Sequence, residues 1–66
     1  MKVIVNGEPR ELPDGASVAE VVASVTAAAT GVAAALNDEV VRRSAWATTP
    51  LRDADRIEVL TAVQGG

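Results

Sequence analysis

The chain contains no cysteine and no histidine. Their absence removes the strongest side-chain nucleophile, the usual acid–base group near neutral pH and the commonest zinc ligands, and it excludes disulfide reinforcement. Aromatic residues are nearly missing too: Trp46 stands alone, with no Phe or Tyr. With a net charge of −3, no basic patch and no stacking residues, the chain is unsuited to nucleic acid. No run approaches the ~20 apolar residues of a membrane span, and Met1-Lys2 leads into a strand pattern rather than a signal peptide. What remains is 66 residues, 48% of them hydrophobic, enough for one domain with a thin core. This composition argues against an autonomous enzyme and for a protein that other proteins act on.

The segment Lys2-Val3-Ile4-Val5-Asn6 is β-branched and alternating, and it runs into Asn6-Gly7, a strong hairpin signal. Pro9 to Leu12 is expected as the returning strand, and Pro13-Asp14-Gly15 as a turn. Ser17-Val18-Ala19-Glu20 has the spacing of a capping box. Val18, Val21, Val22 and Val25 then fall on one helical face, the Ala27-Ala28-Ala29 run extends the helix, and Gly31 is read as its stop. Val32 to Leu36, Asn37-Asp38 and Glu39 to Arg42 form a second hairpin pattern. Ser44 to Leu51 shows no clean period and reads as an irregular crossover; Asp53-Ala54-Asp55 is a turn, and Arg56 to Leu60 alternates as the last strand. One helix with one apolar stripe must cover one sheet face. Val3, Val5, Ile57 and Val59 alternate toward that helix, while Ile4 and Leu60 face away. The expected fold is α+β: a β-grasp roll over residues 1–61, with a mixed sheet of four to five strands gripping one main helix, and a flexible tail over residues 62–66.

The chemistry lies at that tail, Ala62-Val63-Gln64-Gly65-Gly66. At a glycine frequency of about 7%, two terminal glycines arise by chance with a probability on the order of 0.5%. A backbone without Cβ atoms can enter a narrow channel. Val63, Gln64, Gly65 and Gly66 fully extended reach roughly 13 Å, enough to bring a carboxylate into another protein's active site. Such a carboxylate, with a reference pKa of about 3.3–3.7, is ionised at neutral pH and is a poor electrophile. Activation requires an ATP-using partner, because this chain has no groups for the task, and the tail then acts as a carrier arm.

Val3-Ile4-Val5-Asn6-Gly7, Ala35-Leu36-Asn37, Val41-x-Arg43-x-x-Trp46, Leu51-x-x-x-Asp55-Arg56-Ile57-Glu58-Val59 and the Val63-Gln64-Gly65-Gly66 ending together resemble the ThiS family of thiamine-pathway sulfur carriers. The resemblance covers nearly the whole chain. It departs at Ala54, where the family usually has Gly, which bears on that turn and not on the tail. The resemblance implies a cytoplasmic carrier with no bound cofactor. A ThiF-like adenylyltransferase would join the Gly66 carboxylate to AMP from Mg-ATP. A cysteine desulfurase or other sulfur donor would displace AMP to leave a Gly66 thiocarboxylate. A ThiG-like thiazole synthase would take that sulfur into the thiazole ring. Two alternatives stand beside it. Small subunits of molybdopterin synthase are also sulfur carriers, though usually longer and richer in aromatics. A ubiquitin-like modifier would conjugate through Gly66, but Lys2 as the single lysine gives poor means for building polymers.

The other polar residues have structural readings. Trp46 is expected as a core plug with its N–H satisfied. Arg42 and Arg43 are read as a solvated pair beside a hairpin. Asp53 and Asp55 are turn residues, since two carboxylates fall short of the ~6–8 oxygens of a calcium site, and no metal site is expected. Ser17, Ser24 and Ser44 have no histidine to activate them. Ile4 and Leu60, two apolar residues on the face away from the helix, are candidates for a partner-docking surface.

Overall fold

The structure, a computed structural model, describes residues 1–28 and 30–62. Strand β1 (Lys2–Val5) turns through Asn6 and Gly7 into β2 (Glu8–Glu11). Both turn residues have positive φ, 50° and 83°, as a two-residue primed turn requires. Pro9 lies opposite Ile4, whose N–H is committed to Asp55 O on the other side, so the missing donor costs no ladder bond. A second hairpin joins β3 (Val32–Leu36) to β4 (Glu39–Val41) through Asn37 and Asp38, again both at positive φ. β5 (Arg56–Thr61) enters between the hairpins, giving the order β2-β1-β5-β3-β4. It runs parallel to β1 and antiparallel to β3.

Helix α1 (Val18–Val25) starts at the predicted capping box: Glu20 N–H donates to Ser17 Oγ at 3.3 Å, and Ser17 N–H donates to Glu20 Oε2 at 3.2 Å. Its apolar stripe lies on the inner sheet face, where Val3, Val5, Val18, Val21, Ile57 and Val59 are buried together. The helix ends earlier than expected. Thr26 is extended at φ −148°, and its Oγ1 accepts from Ala28 N–H at 3.0 Å, a local bond that competes with another helical turn. The helix propensity of Ala27 and Ala28 is overridden because the apolar stripe is exhausted at Val25, and packing outweighs propensity. Gly31 is therefore not the helix stop; at φ +70° it bends the chain into β3. The Ala-rich β3 is a strand, with Ala34 buried beneath the sheet's inner face.

The crossover after β4 is also more regular than its sequence suggests. Arg43–Thr48 forms a 3₁₀ helix with one buried residue, Trp46, too short a repeat to leave a period. Trp46 Nε1 donates to Val41 O at 2.8 Å, and the Arg43 guanidinium lies 5.5 Å from the ring centroid. Arg43 is exposed, as read, and it covers the indole as well. Val18 N–H donates to Thr49 O and Leu51 N–H to Ala16 O, tying the crossover to the start of α1.

The turn before β5 carries strain. Ala54 has φ +72°, a left-handed conformation that costs an L-residue roughly 1–2 kcal/mol. Its N–H donates to Lys2 O at 2.7 Å, and Lys2 N–H donates to Asp53 Oδ1 at 2.8 Å, so the turn is held to β1 despite that cost. Ala54→Gly should stabilise the fold by about 0.5–1 kcal/mol once the larger unfolded-state entropy of glycine is set against relieved strain. A scan should show Tm higher by about 2–8 °C for a domain of this size; an unchanged or lower Tm would show that the turn is not strained.

Candidate functional site

β5 is the last strand before residues 63–66 in the chain, and polar side chains pin it on both flanks. β1 pairs with β5 only at Ile4↔Arg56 and Val5↔Ile57. Asn6 then continues the ladder with its side chain: Nδ2 donates to Val59 O at 3.3 Å, and Val59 N–H donates to Oδ1 at 2.8 Å. Asn37 does the same at the start of the strand, accepting from Arg56 N–H at 3.0 Å while its Nδ2 donates to Asp55 Oδ1 at 3.0 Å. Asp55 also accepts from Arg52 N–H at 2.8 Å. Asp53 and Asp55 are thus turn residues whose oxygens accept structural hydrogen bonds, Asp53 from Lys2 of β1 and Asp55 from Arg52 within the turn and from Asn37. Sequence reasoning read Asn6 and Asn37 only as turn formers. Their bonds to β5 reach across as many as 53 residues, a separation that local pattern cannot register.

The strand ends on a single rung. Thr61 lies opposite Val32, and beyond it Ala62 N–H donates to Gly31 O at 2.6 Å. Ala62 is the last described residue, so of the expected 62–66 tail, Val63, Gln64, Gly65 and Gly66 lie outside the described residues.

The outer sheet face holds the predicted apolar pair, at separate places. Ile4 is half-buried, opposite Pro9 and Arg56, at a shallow depression lined also by Gly7 and Glu58. Leu60 is 65% exposed and lies four residues beyond Arg56, about 13 Å along the strand. Its cross-strand neighbour is Ala33, while Ala35 pairs with Glu58 on one side and Val40 on the other. Val40 is 81% exposed, so the register gives Leu60, Ala33, Ala35 and Val40 one small-to-medium apolar surface beside the end of β5. The alternation of Val40 with half-buried Val41 is the available sequence signal for that placement. Arg56 and Asp38 form an exposed ion pair at 3.1 Å, a contact worth only about 0.2–1 kcal/mol.

Ser17 is occupied as a cap, and Ser24 Oγ donates to Val21 O at 2.7 Å. Among the described residues, the site therefore consists of a firmly held strand, an apolar outer face and the Gly31–Ala62 rung beyond the strand's end.

The profile of the ThiS family matches residues 3–66. The sulfur carrier protein ThiS of Thermus thermophilus is 41% identical over 64 residues, spanning 97% of this chain and 98% of that relative. The crystal structure of a thiamine biosynthesis protein (ThiS) from Geobacter metallireducens superposes with a TM-score of 0.81 at 33% identity, over all of both chains. A solution structure of a thiamine biosynthesis protein from Geobacter metallireducens gives a TM-score of 0.81 at 32% identity, over all of this chain and 88% of that one.

Proposed function

Because the chain belongs to the ThiS family, we propose that it carries sulfur for thiamine biosynthesis on Gly66, as a carrier rather than an enzyme. The observation that supports this reading most is that the family match extends through residue 66 and therefore includes the Val63-Gln64-Gly65-Gly66 ending. In the first step a ThiF-like adenylyltransferase uses Mg-ATP: a carboxylate oxygen of Gly66 attacks the α-phosphorus and pyrophosphate leaves. The outer sulfur of a persulfide, ultimately that of a cysteine desulfurase, then displaces AMP from the activated carbonyl to give an acyl disulfide. A thiol cleaves its S–S bond, forming a disulfide with the donor sulfur and releasing the Gly66 thiocarboxylate. A ThiG-like thiazole synthase takes that sulfur into the thiazole ring. The division of labour suits the residues present, since a thiocarboxylate is a nucleophile that needs neither histidine nor cysteine on its carrier.

The experiment is intact-mass analysis after incubation with the adenylyltransferase, Mg-ATP and a sulfur source. The chain should gain the mass of one oxygen-for-sulfur exchange, localised to Gly66. A ladder of conjugates to other proteins would instead support a ubiquitin-like modifier.

Leu60 and its neighbours Ala33, Ala35 and Val40 form the docking face for the adenylyltransferase in this reading, because that face adjoins the strand from which the tail leaves. Ile4 lies on the same face, farther from the exit. Leu60→Asp should weaken the complex at least about tenfold while leaving unfolding unchanged, as expected for a charge placed in an apolar contact. Calorimetric titration giving unaltered affinity would remove Leu60 from the interface.

A further inference from the structure

We infer that Gly31 is a positioning residue for the tail, because it holds the last rung among the described residues, immediately before residues 63–66 in the chain. The inference rests on the reading of Gly66 as the reacting end and adds a residue that neither motif nor chemistry had pointed to. The β3–β5 ladder runs from Leu36↔Ile57 to Val32↔Thr61, and the next pair in register is Gly31 with Ala62. That pair is joined by the Ala62 N–H bond to Gly31 O at 2.6 Å. On its other flank β5 is tied no later than Val59, through the Asn6 side chain. Ala62 is therefore secured from the β3 side, three residues beyond the last tie to β1.

Two properties of position 31 make that rung sensitive to a side chain. Its φ of +70° lies in the region L-residues avoid. A Cβ built there would also stand 3.1 Å from Ala62 Cβ and 3.9 Å from Ala62 N. Something must give by a few tenths of an ångström. Ala62 is the neighbour able to yield, because it is exposed and lies just past the end of β5, whereas residue 31 is fixed by the chain entering β3. Yielding breaks the rung. The length of chain beyond the last described rung then grows by at least one residue, and that residue must be ordered again whenever the tail enters a partner's active site. Gly31 thus sets the distance and the entropy with which Gly66 is presented, through Ala62 and without touching the reacting atoms.

The test uses the full chain with Gly31→Val, Ala62→Pro and both together. Ala62→Pro removes the donor N–H at an exposed strand end, so it probes the rung even where Gly31→Val compromises folding. In adenylation kinetics with the ThiF-like enzyme and Mg-ATP, each single variant should raise KM for the carrier about five- to thirty-fold with kcat retained, matching the ordering of one released residue. The double variant should be no worse than the weaker single, because both release the same rung. In the isolated wild-type protein the Ala62 amide should be protected from hydrogen exchange, and in Gly31→Val it should exchange freely while the Val59 amide stays protected. A wild-type KM for Ala62→Pro, additive effects in the double variant, or an unprotected Ala62 amide in the wild type would each overturn the assignment. Failure of the wild-type chain to be adenylated would instead overturn the proposed function, and this assignment with it. Normal loading of wild type and variants alike would overturn the assignment alone.

Discussion

Deleting Gly66 should abolish ATP–pyrophosphate exchange by the adenylyltransferase while changing folding stability by no more than about 0.5 kcal/mol. The two effects separate because glycine has no side chain to bury, so its removal takes no apolar group from a core built on Val3, Val5, Val18, Val21, Ile57 and Val59. Shortening the chain by one residue withdraws the carboxylate by about 3.3 Å. Misplacement by 1 Å already costs on the order of 100-fold in a positioned reaction, so exchange should fall below detection. Converting the Gly66 carboxylate to an amide keeps the full length and removes only the attacking oxygen. It should silence exchange as completely, which distinguishes the chemistry of the end from its reach. Undiminished exchange from either protein would place the activated group elsewhere.

Trp46→Ala should remove most of the stability of the domain. Trp46 is 7% exposed and packs in the main core, and large-to-small substitution of such a residue costs about 3–5 kcal/mol. At about 0.05–0.15 kcal/mol per residue, a chain of 66 residues has only roughly 3–10 kcal/mol in total. Urea unfolding followed by circular dichroism should show a protein that is largely unfolded or close to it at 37 °C. Trp46→Phe keeps a ring and loses the Nε1–H bond to Val41 O, so its cost should be about 1–2 kcal/mol. A loss below about 1 kcal/mol for the alanine variant would mean that the 3₁₀ helix does not seal the core.

Much of this architecture was legible because its determinants are local. The alternation of Val3, Val5, Ile57 and Val59 identified the face that packs on α1, and all four residues are buried there. Ser17 and Glu20 set the helix start, and Asn6-Gly7 and Asn37-Asp38 set both hairpins. What escaped is non-local. Nothing in the spacing of residues announces that β5 enters between β1 and β3, or that the Asn6 amide extends the ladder to Val59. The helix end is not legible either, because Ala27 and Ala28 favour helix by propensity while the buried stripe stops at Val25. In the site, alternation placed Ile4 and Leu60 on the outer face, but only cross-strand register separates them and brings Ala33, Ala35 and Val40 beside Leu60. The Gly-Gly ending was conspicuous in sequence. The function of Gly31 at its base was not, since its partner lies across the sheet at Ala62.

The central place of β5 bears on how the polypeptide matures. Before Arg56 to Thr61 is available, the β1–β2 and β3–β4 hairpins share no neighbour, and isolated hairpins are marginal in water. Collapse into the native topology must therefore wait for the latest-made strand, a long-range closure of the kind that slows folding. A truncated translation product lacking that strand would be left as two unjoined hairpins, open to proteolysis and without a surface that could compete for a partner.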